Sequence, residues 1–255
     1  MIFQSSVADS MKCVILQPSF IPWRGYFHQI QLADLFVFYD CVQYDKRGWR
    51  NRNKIKTGQG TQWLTIPTNA SGSHDGLLIR DVKIAQDDSW RRKHLAAIEM
   101  NYRKTPYWSL YKPLVDRIYG MDVTELAELT CASTIEIARA LGIQYTRFIR
   151  SSELNAVGEK TDRILDVLKK VGTDHYISGP SAREYIEADK FERAGITLEY
   201  MTYDYPEYPQ QYGEFEGGVS ILDLLFNVGP EAPRYIWDRN YPQKSGFLRT
   251  INSIF

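Results

Sequence analysis

Between residues 12 and 41 the chain reads KCVILQPSFIPWRGYFHQIQLADLFVFYDC, two short apolar runs flanking a stretch in which Phe27, Ile30 and Leu32 to Ala33 recur near helical spacing. Strand, helix and strand at this spacing suit a right-handed parallel crossover, which places the QPSFIPW loop at the carboxyl end of the first strand. A nucleotide-binding fold would carry a glycine-rich phosphate loop there. Here Gln17, Pro18, Pro22 and Trp23 stand instead, and Gly25 with Tyr26 opens the helix. The prolines stiffen the loop, and the free N–H groups of the helix start are a candidate anion site.

Farther along, residues 47–56 and 61–67 flank Gly58-Gln59-Gly60 and predict an inserted antiparallel β-hairpin. LLIRDVKI, 77–84, alternates as a further strand would, after the polar loop NASGSHDG, which reads as a mobile surface connection. Three helical patterns follow from Asp88: DDSWRRKHLAAIEMNY, PYWSLYKPLVDRIY and DVTELAELTCASTIEIARALG. The second half then alternates YTRFIRSS, EKTDRILDVLKKVG, DHYISG, SAREYI, ITLEYMTYDY and VSILDLLFNVG as strand and helix. The fold class expected is α/β: a Rossmann-like parallel sheet flanked by helices, with an inserted hairpin and a helical segment. Residues 12–229 read as a single domain, 1–11 as an N-terminal extension and 230–255 as a C-terminal tail.

The most concentrated chemical signal is basic. Lys46, Arg47, Arg50, Arg52, Lys54 and Lys56 lie within eleven residues, interleaved with Trp49, Asn51 and Asn53. In a strand, positions 50, 52, 54 and 56 share one face and Trp49, Asn51 and Asn53 the other. Four like charges on one face repel unless anions such as phosphates or carboxylates sit between them, or unless acidic neighbours pair with them. Lys plus Arg and Asp plus Glu number 31 each, so no whole-molecule field attracts nucleic acid and any electrostatic selectivity is local. Gln43 and Tyr44 adjoin this segment just after the second strand.

YISGPSAREY repeats the strand, turn and helix logic, with Ser178, Gly179 and Ser181 as small donors and Arg183 as a nearby cation. The tyrosine- and proline-rich YDYPEYPQQYGEFEGG has the composition of loops that line sugar or base pockets, or that seal a core edge. The four histidines are scattered and the three cysteines lack CxxC partners, so no metal site is expected and the thiols read as buried and reduced. No apolar run approaches the roughly 18 residues needed to span a bilayer, and the start is unlike a secretory signal; the expectation is a cytoplasmic protein without a membrane partner. The sequence sets no oligomeric state.

QPSFIPWRGYF, LADLFVFYDCVQYDKRGWRNRNKIKT, WLTIPT, SWRRKHL, YISGPSAREYI and YPQQYGEFEGGVSILDLLFNVG together resemble the WbqC-like family of bacterial O-antigen and related gene clusters, over about Lys12 to Gly229. The resemblance implies work on nucleotide-linked, often amino-bearing sugars, with acyl or aminoacyl transfer to a sugar amine as the inferred reaction and a thioester as a candidate donor. On that reading Lys46, Arg50 and Arg52 hold phosphates, Gln17 and Gln43 orient the acceptor, and His28 or Asp40 assists deprotonation. In layout the chain is also similar to nucleotidylyltransferases, but Pro22 or Trp23 and Tyr26 replace their paired histidines. Nucleotidyl transfer or ATP-dependent ligation therefore stays as one alternative, and a non-catalytic binder of single-stranded RNA or another anionic polymer as a second.

Overall fold

A computed structural model describes residues 10–45, 48–70 and 76–237. The expected crossover is present: β1 (Lys12–Leu16), α1 (Arg24–Leu32) and β2 (Leu35–Phe38). With β5 (Arg147–Arg150), β6 (His175–Ser178) and β7 (Thr197–Tyr200) they build a five-stranded sheet of order β5-β2-β1-β6-β7 in which every pairing is parallel. The two N-terminal strands, β1 and β2, lie side by side at its centre, with β5 on one flank and β6 and β7 on the other, all three from the second half of the sequence.

The two-residue strand period divides the core into two layers. Val14, Phe36, Phe38 and Ile177 point to one side, against Phe27 and Ile30 of α1 and against α2 (Ser89–Tyr102), α3 (Trp108–Tyr119), α4 (Leu126–Ala140) and α7 (Ile221–Val228). Cys13, Ile15, Leu35 and Val37 point to the other side. There they meet Ile164, Val167 and Leu168, an i, i+3, i+4 stripe on α5 (Lys160–Val171), and Phe191 of α6 (Ala188–Arg193). Helix α5 stops at Gly172, whose φ of 70° is the left-handed conformation a side chain disfavours.

The hairpin is β3 (Arg52–Thr57) and β4 (Gly60–Thr65), antiparallel, with Lys54 opposite Trp63. It is clamped from behind by a polar network. Lys56 Nζ donates to Gln210 Oε1 at 2.9 Å and to the Glu214 carbonyl, and Lys56 N donates to Tyr102 Oη at 2.9 Å. Tyr102, Tyr208 and Gln210 in turn donate to the Asp223 carboxylate of α7, whose pKa burial raises.

Several expectations are corrected. Residues 77–84 hold a 3-10 turn, Ile79–Asp81, and pair only through isolated bridges to three separate places, Leu78 with Gln43, Lys83 with Glu125 and Ile84 with Thr68, so no single partner runs beside the segment far enough to make a strand. SAREYI is a 3-10 turn, Pro180–Glu184, and the α-helix begins later, at Ala188. Cys41 is half-buried, whereas Cys13 and Cys131 are buried as expected. At the start of the expected tail, Ala232, Pro233 and Ile236 are buried in the main core. Most of the NASGSHDG loop lies outside the described residues. No helix among the described residues is long and apolar enough to cross a membrane.

Candidate functional site

From β1 the chain crosses through α1 to β2 on one side, while β6 and β7 extend the sheet on the other. The carboxyl ends of β1 and β6 therefore flank a topological switch point, where open parallel sheets leave a crevice. A cleft of about 1110 Å³ occupies this position. Leu16 and Gln17 line it from the end of β1, Tyr39 from just past β2 and Tyr176 from β6.

The proline loop forms one wall. Ile21 has a φ of 34°, strained for a β-branched residue, and Pro22 behind it restricts its backbone further. Asn53 holds that geometry: its Nδ2 donates to the Phe20 carbonyl at 3.1 Å and the Ile21 carbonyl at 2.8 Å. Phe20 N donates to the Trp49 carbonyl at 3.2 Å, so the hairpin root and the loop are stitched together. Helix α1 starts without a side-chain cap at Trp23, and the indole folds back onto Gly25, where a Cβ would stand 2.3 Å from the ring. Only glycine fits beneath the ring. Trp23 also meets Tyr203 edge-on, with ring centroids 5.0 Å apart. Gly179 serves a similar purpose at the end of β6, since a Cβ there would lie 2.8 Å from Tyr203 Oη. The bare glycine lets that hydroxyl accept from Gln29 Nε2 at 2.7 Å.

Three cations and one carboxylate line the cleft: Arg50, Lys160 and Arg163 against Glu159. Arg50 Nε is buried and has no hydrogen-bond partner, and no carboxylate within ion-pair distance is found for this guanidinium among the described residues. Burial lowers its pKa, offset in part by Tyr26, Asp45 and Tyr44. Arg163 is fixed by backbone alone: Nε donates to the Gly158 carbonyl at 2.7 Å and Nη1 to the Cys41 carbonyl at 3.0 Å. Those bonds orient its charge without neutralising it. Lys160, the exposed first residue of α5, has a φ of 47° after Gly158 at 87°. Such a site favours anions, through charge-assisted bonds from the guanidinium groups.

Of the residues singled out in the sequence, the structure brings Gln17, Trp23, Tyr26, Gln43, Trp49, Arg50 and Asn53 together in this cleft. Lys46 and Arg47 lie outside the described residues. Arg52 and Lys54 point away from the cleft lining and pack on Trp63, with Arg52 Cζ 4.4 Å and Lys54 Nζ 5.2 Å from its ring centroid. Trp49 precedes the strand, and its ring swings to 5.2 Å from that of Trp63, on the side of the cations and not opposite them. The four cations do not form one charged face: Arg50 is in the cleft, Lys56 is in the buried network, and Arg52 and Lys54 share the Trp63 indole.

The remaining candidates sit elsewhere. Asp40 is fully buried, accepting from Arg150 Nε at 2.7 Å, Ser151 Oγ at 3.0 Å, and Ser152 N and Oγ at 2.9 and 2.8 Å, which ties the ends of β2 and β5. His28 Nδ1 pairs with Tyr205 Oη at 2.9 Å, and burial lowers its pKa to about 4. Asn51 Nδ2 donates to the Ile66 carbonyl, and Tyr44 is buried in the core. Ser178 Oγ donates to Tyr176 Oη at 3.3 Å, Ser181 is exposed, and Arg183 lies over the Tyr200 ring at 4.5 Å. Sequence reasoning missed Gln29, Tyr39, Lys160, Arg163, Tyr176 and Tyr185. Tyr203 belongs to the aromatic segment already marked as a pocket-lining composition. Gly158 ahead of a helix start carrying Lys160 and Arg163 was the signal available for the cations. Among the described residues no group of three or more His, Cys, Asp and Glu is placed to hold a metal ion.

Comparison with known proteins gives a family and no chemistry. Residues 17–235 match the WbqC-like protein family. The "Uncharacterized protein Rv1507c" of Mycobacterium tuberculosis (strain ATCC 25618 / H37Rv) is 40% identical over 227 residues, covering 88% of this chain and 97% of that protein. No solved structure matches.

Proposed function

Since this chain belongs to the WbqC-like protein family, we propose that it is a transferase that places an acyl or aminoacyl group on the amine of a nucleotide-linked sugar in surface-polysaccharide biosynthesis. The observation that carries this reading is Arg50: a guanidinium at the switch-point cleft with its Nε buried and unpartnered, beside Arg163 held only by carbonyls. A diphosphate supplies the missing acceptors in charge-assisted geometry. The same positive potential acts on the nucleophile. An ammonium near fixed cations is disfavoured, so the acceptor amine is held in its free, nucleophilic form. Its nitrogen attacks the thioester carbonyl, the C–N bond forms, the C–S bond breaks, the thiolate leaves and the amine proton passes to solvent. Gln17 and Gln43 line the cleft with amide groups that suit a carbonyl oxygen developing negative charge. His28 and Asp40 do not line it and take no part in this scheme.

Calorimetry with nucleotide sugars, followed by mass spectrometry of the sugar after incubation with acyl thioesters, tests the reading. Binding of nucleotide sugars and an amide-bearing product support it; no heat with every phosphate-bearing ligand overturns it. Nucleotidyl transfer or ligation, favoured by the same switch-point position, is separated by release of pyrophosphate from ATP.

A further inference from the structure

The outer face of the hairpin carries two large aromatic rings in contact with water. Trp49 is 44% exposed and Trp63 41% exposed, values at odds with the full burial of Phe20, Phe27 and Phe36 in the core. Their rings meet at 39° with centroids 5.2 Å apart, tilted and not stacked. Cations are already placed on them: Arg52 Cζ lies 4.4 Å and Lys54 Nζ 5.2 Å from the Trp63 centroid, and Lys54 Nζ is 6.0 Å from that of Trp49. Leu64, the neighbour of Trp63, is buried on the opposite face, so the strand alternation itself commits Trp63 to solvent. This surface is continuous with the cleft, because Trp49 lines the cleft as well as touching Trp63.

We infer that Trp49 and Trp63 form a stacking platform for the base of a nucleoside diphosphate whose phosphates lie in the Arg50 cleft. The inference rests on the phosphate reading of that cleft and extends it from the anion to the ring attached to it. Charge and shape both favour this occupant. Every base has a π-face that stacks on indole, and Arg52 and Lys54 at the rim supply positive charge on the path a phosphate follows inward. A neutral sugar would use the rings but not the cations, and inorganic phosphate the cations but not the rings.

The test measures binding of uridine diphosphate, guanosine diphosphate and inorganic pyrophosphate to the full chain by calorimetry, with tryptophan fluorescence as a second readout. Trp63→Ala is expected to weaken both nucleoside diphosphates about tenfold or more and to leave pyrophosphate unchanged. Trp63→Phe is expected to restore part of the loss, and thermal melting verifies that each variant is folded. Equal nucleoside diphosphate affinity in wild type and Trp63→Ala, or equal weakening of pyrophosphate, overturns the platform while the phosphate reading stands. Pyrophosphate binding indifferent to Arg50→Met, or no binding of any of the three by wild type, overturns the phosphate reading and the platform's occupant with it. Length-dependent binding of oligouridylate that needs Trp63, with no binding of nucleoside diphosphate, assigns the rings to a polymer and also overturns the proposal.

Discussion

Two segments far apart in sequence bring positive charge to the same cleft, and they do so in opposite ways. Residues 50–56 announce themselves by composition, yet among Arg50, Arg52, Lys54 and Lys56 only Arg50 lines the cleft. Residues 158–163 look ordinary, yet Lys160 and Arg163 both line it, because α5 feeds β6 and its first turn opens beside the carboxyl end of β1. The hairpin cation is enclosed and unbonded at Nε; the α5 cation is bonded and only oriented. Density of charge in a sequence thus says less about a binding site than where topology delivers a single residue.

The comparison can be broken at four points. The largest effect is expected from Asn53→Leu, which strips partners from the Phe20 and Ile21 carbonyls and from Lys54 N. At about 1–3 kcal/mol for each buried group left unpaired, a loss of about 4 kcal/mol in urea denaturation is expected, and a loss under about 1 kcal/mol would show that hairpin and loop are not coupled.

Next comes pH. His94 is buried against Phe20, Trp90 and Tyr119, and burial lowers its pKa from 6.5 to about 4. The unfolded chain takes the proton first, so the stability this residue contributes is complete above pH 6.5 and lost as the pH falls through about 4. From His94 a loss of about 3 kcal/mol is expected over that window, and His94→Gln should remove that part in melts from pH 7 to pH 4, leaving the fall that His28, also lowered to about 4 by burial, contributes. A profile unchanged by the substitution would remove His94 from the account.

Arg50→Met should weaken pyrophosphate binding about 30-fold or more, near 2 kcal/mol, while leaving folding stability within about 1 kcal/mol, since no bond to the protein at Nε is lost. Arg163→Met should weaken binding only about fivefold but also cost about 1 kcal/mol in stability through its lost carbonyl bonds. Identical behaviour of the two variants in both measurements would erase the distinction between them.

Much of the architecture was legible because it rests on local pattern. The β1–α1–β2 crossover, the hairpin around Gly58-Gln59 and the α5 stripe of Ile164, Val167 and Leu168 all follow from periodicity and turn residues. What escaped reading depended on contacts between distant segments. Asp40 looked like a base at a strand end, but it is consumed by Arg150, Ser151 and Ser152, some 110 residues away. Asn51 and Asn53 stand out in sequence only as polar residues interleaved with the cations, and one clamps Ile66 while the other clamps the proline loop. LLIRDVKI has the alternation of a strand and lacks a partner long enough to make one. Gln29 and Tyr203 meet only because residue 179 has no side chain.

The ring seated on Gly25 has a dielectric consequence. At the lip of the cleft it holds hydrocarbon where solvent would otherwise stand, and a charge contact is worth far more beside low permittivity than beside bulk water. Alanine at position 25 would evict the indole, let water in and dilute the pull of Arg50 without touching a single charged atom.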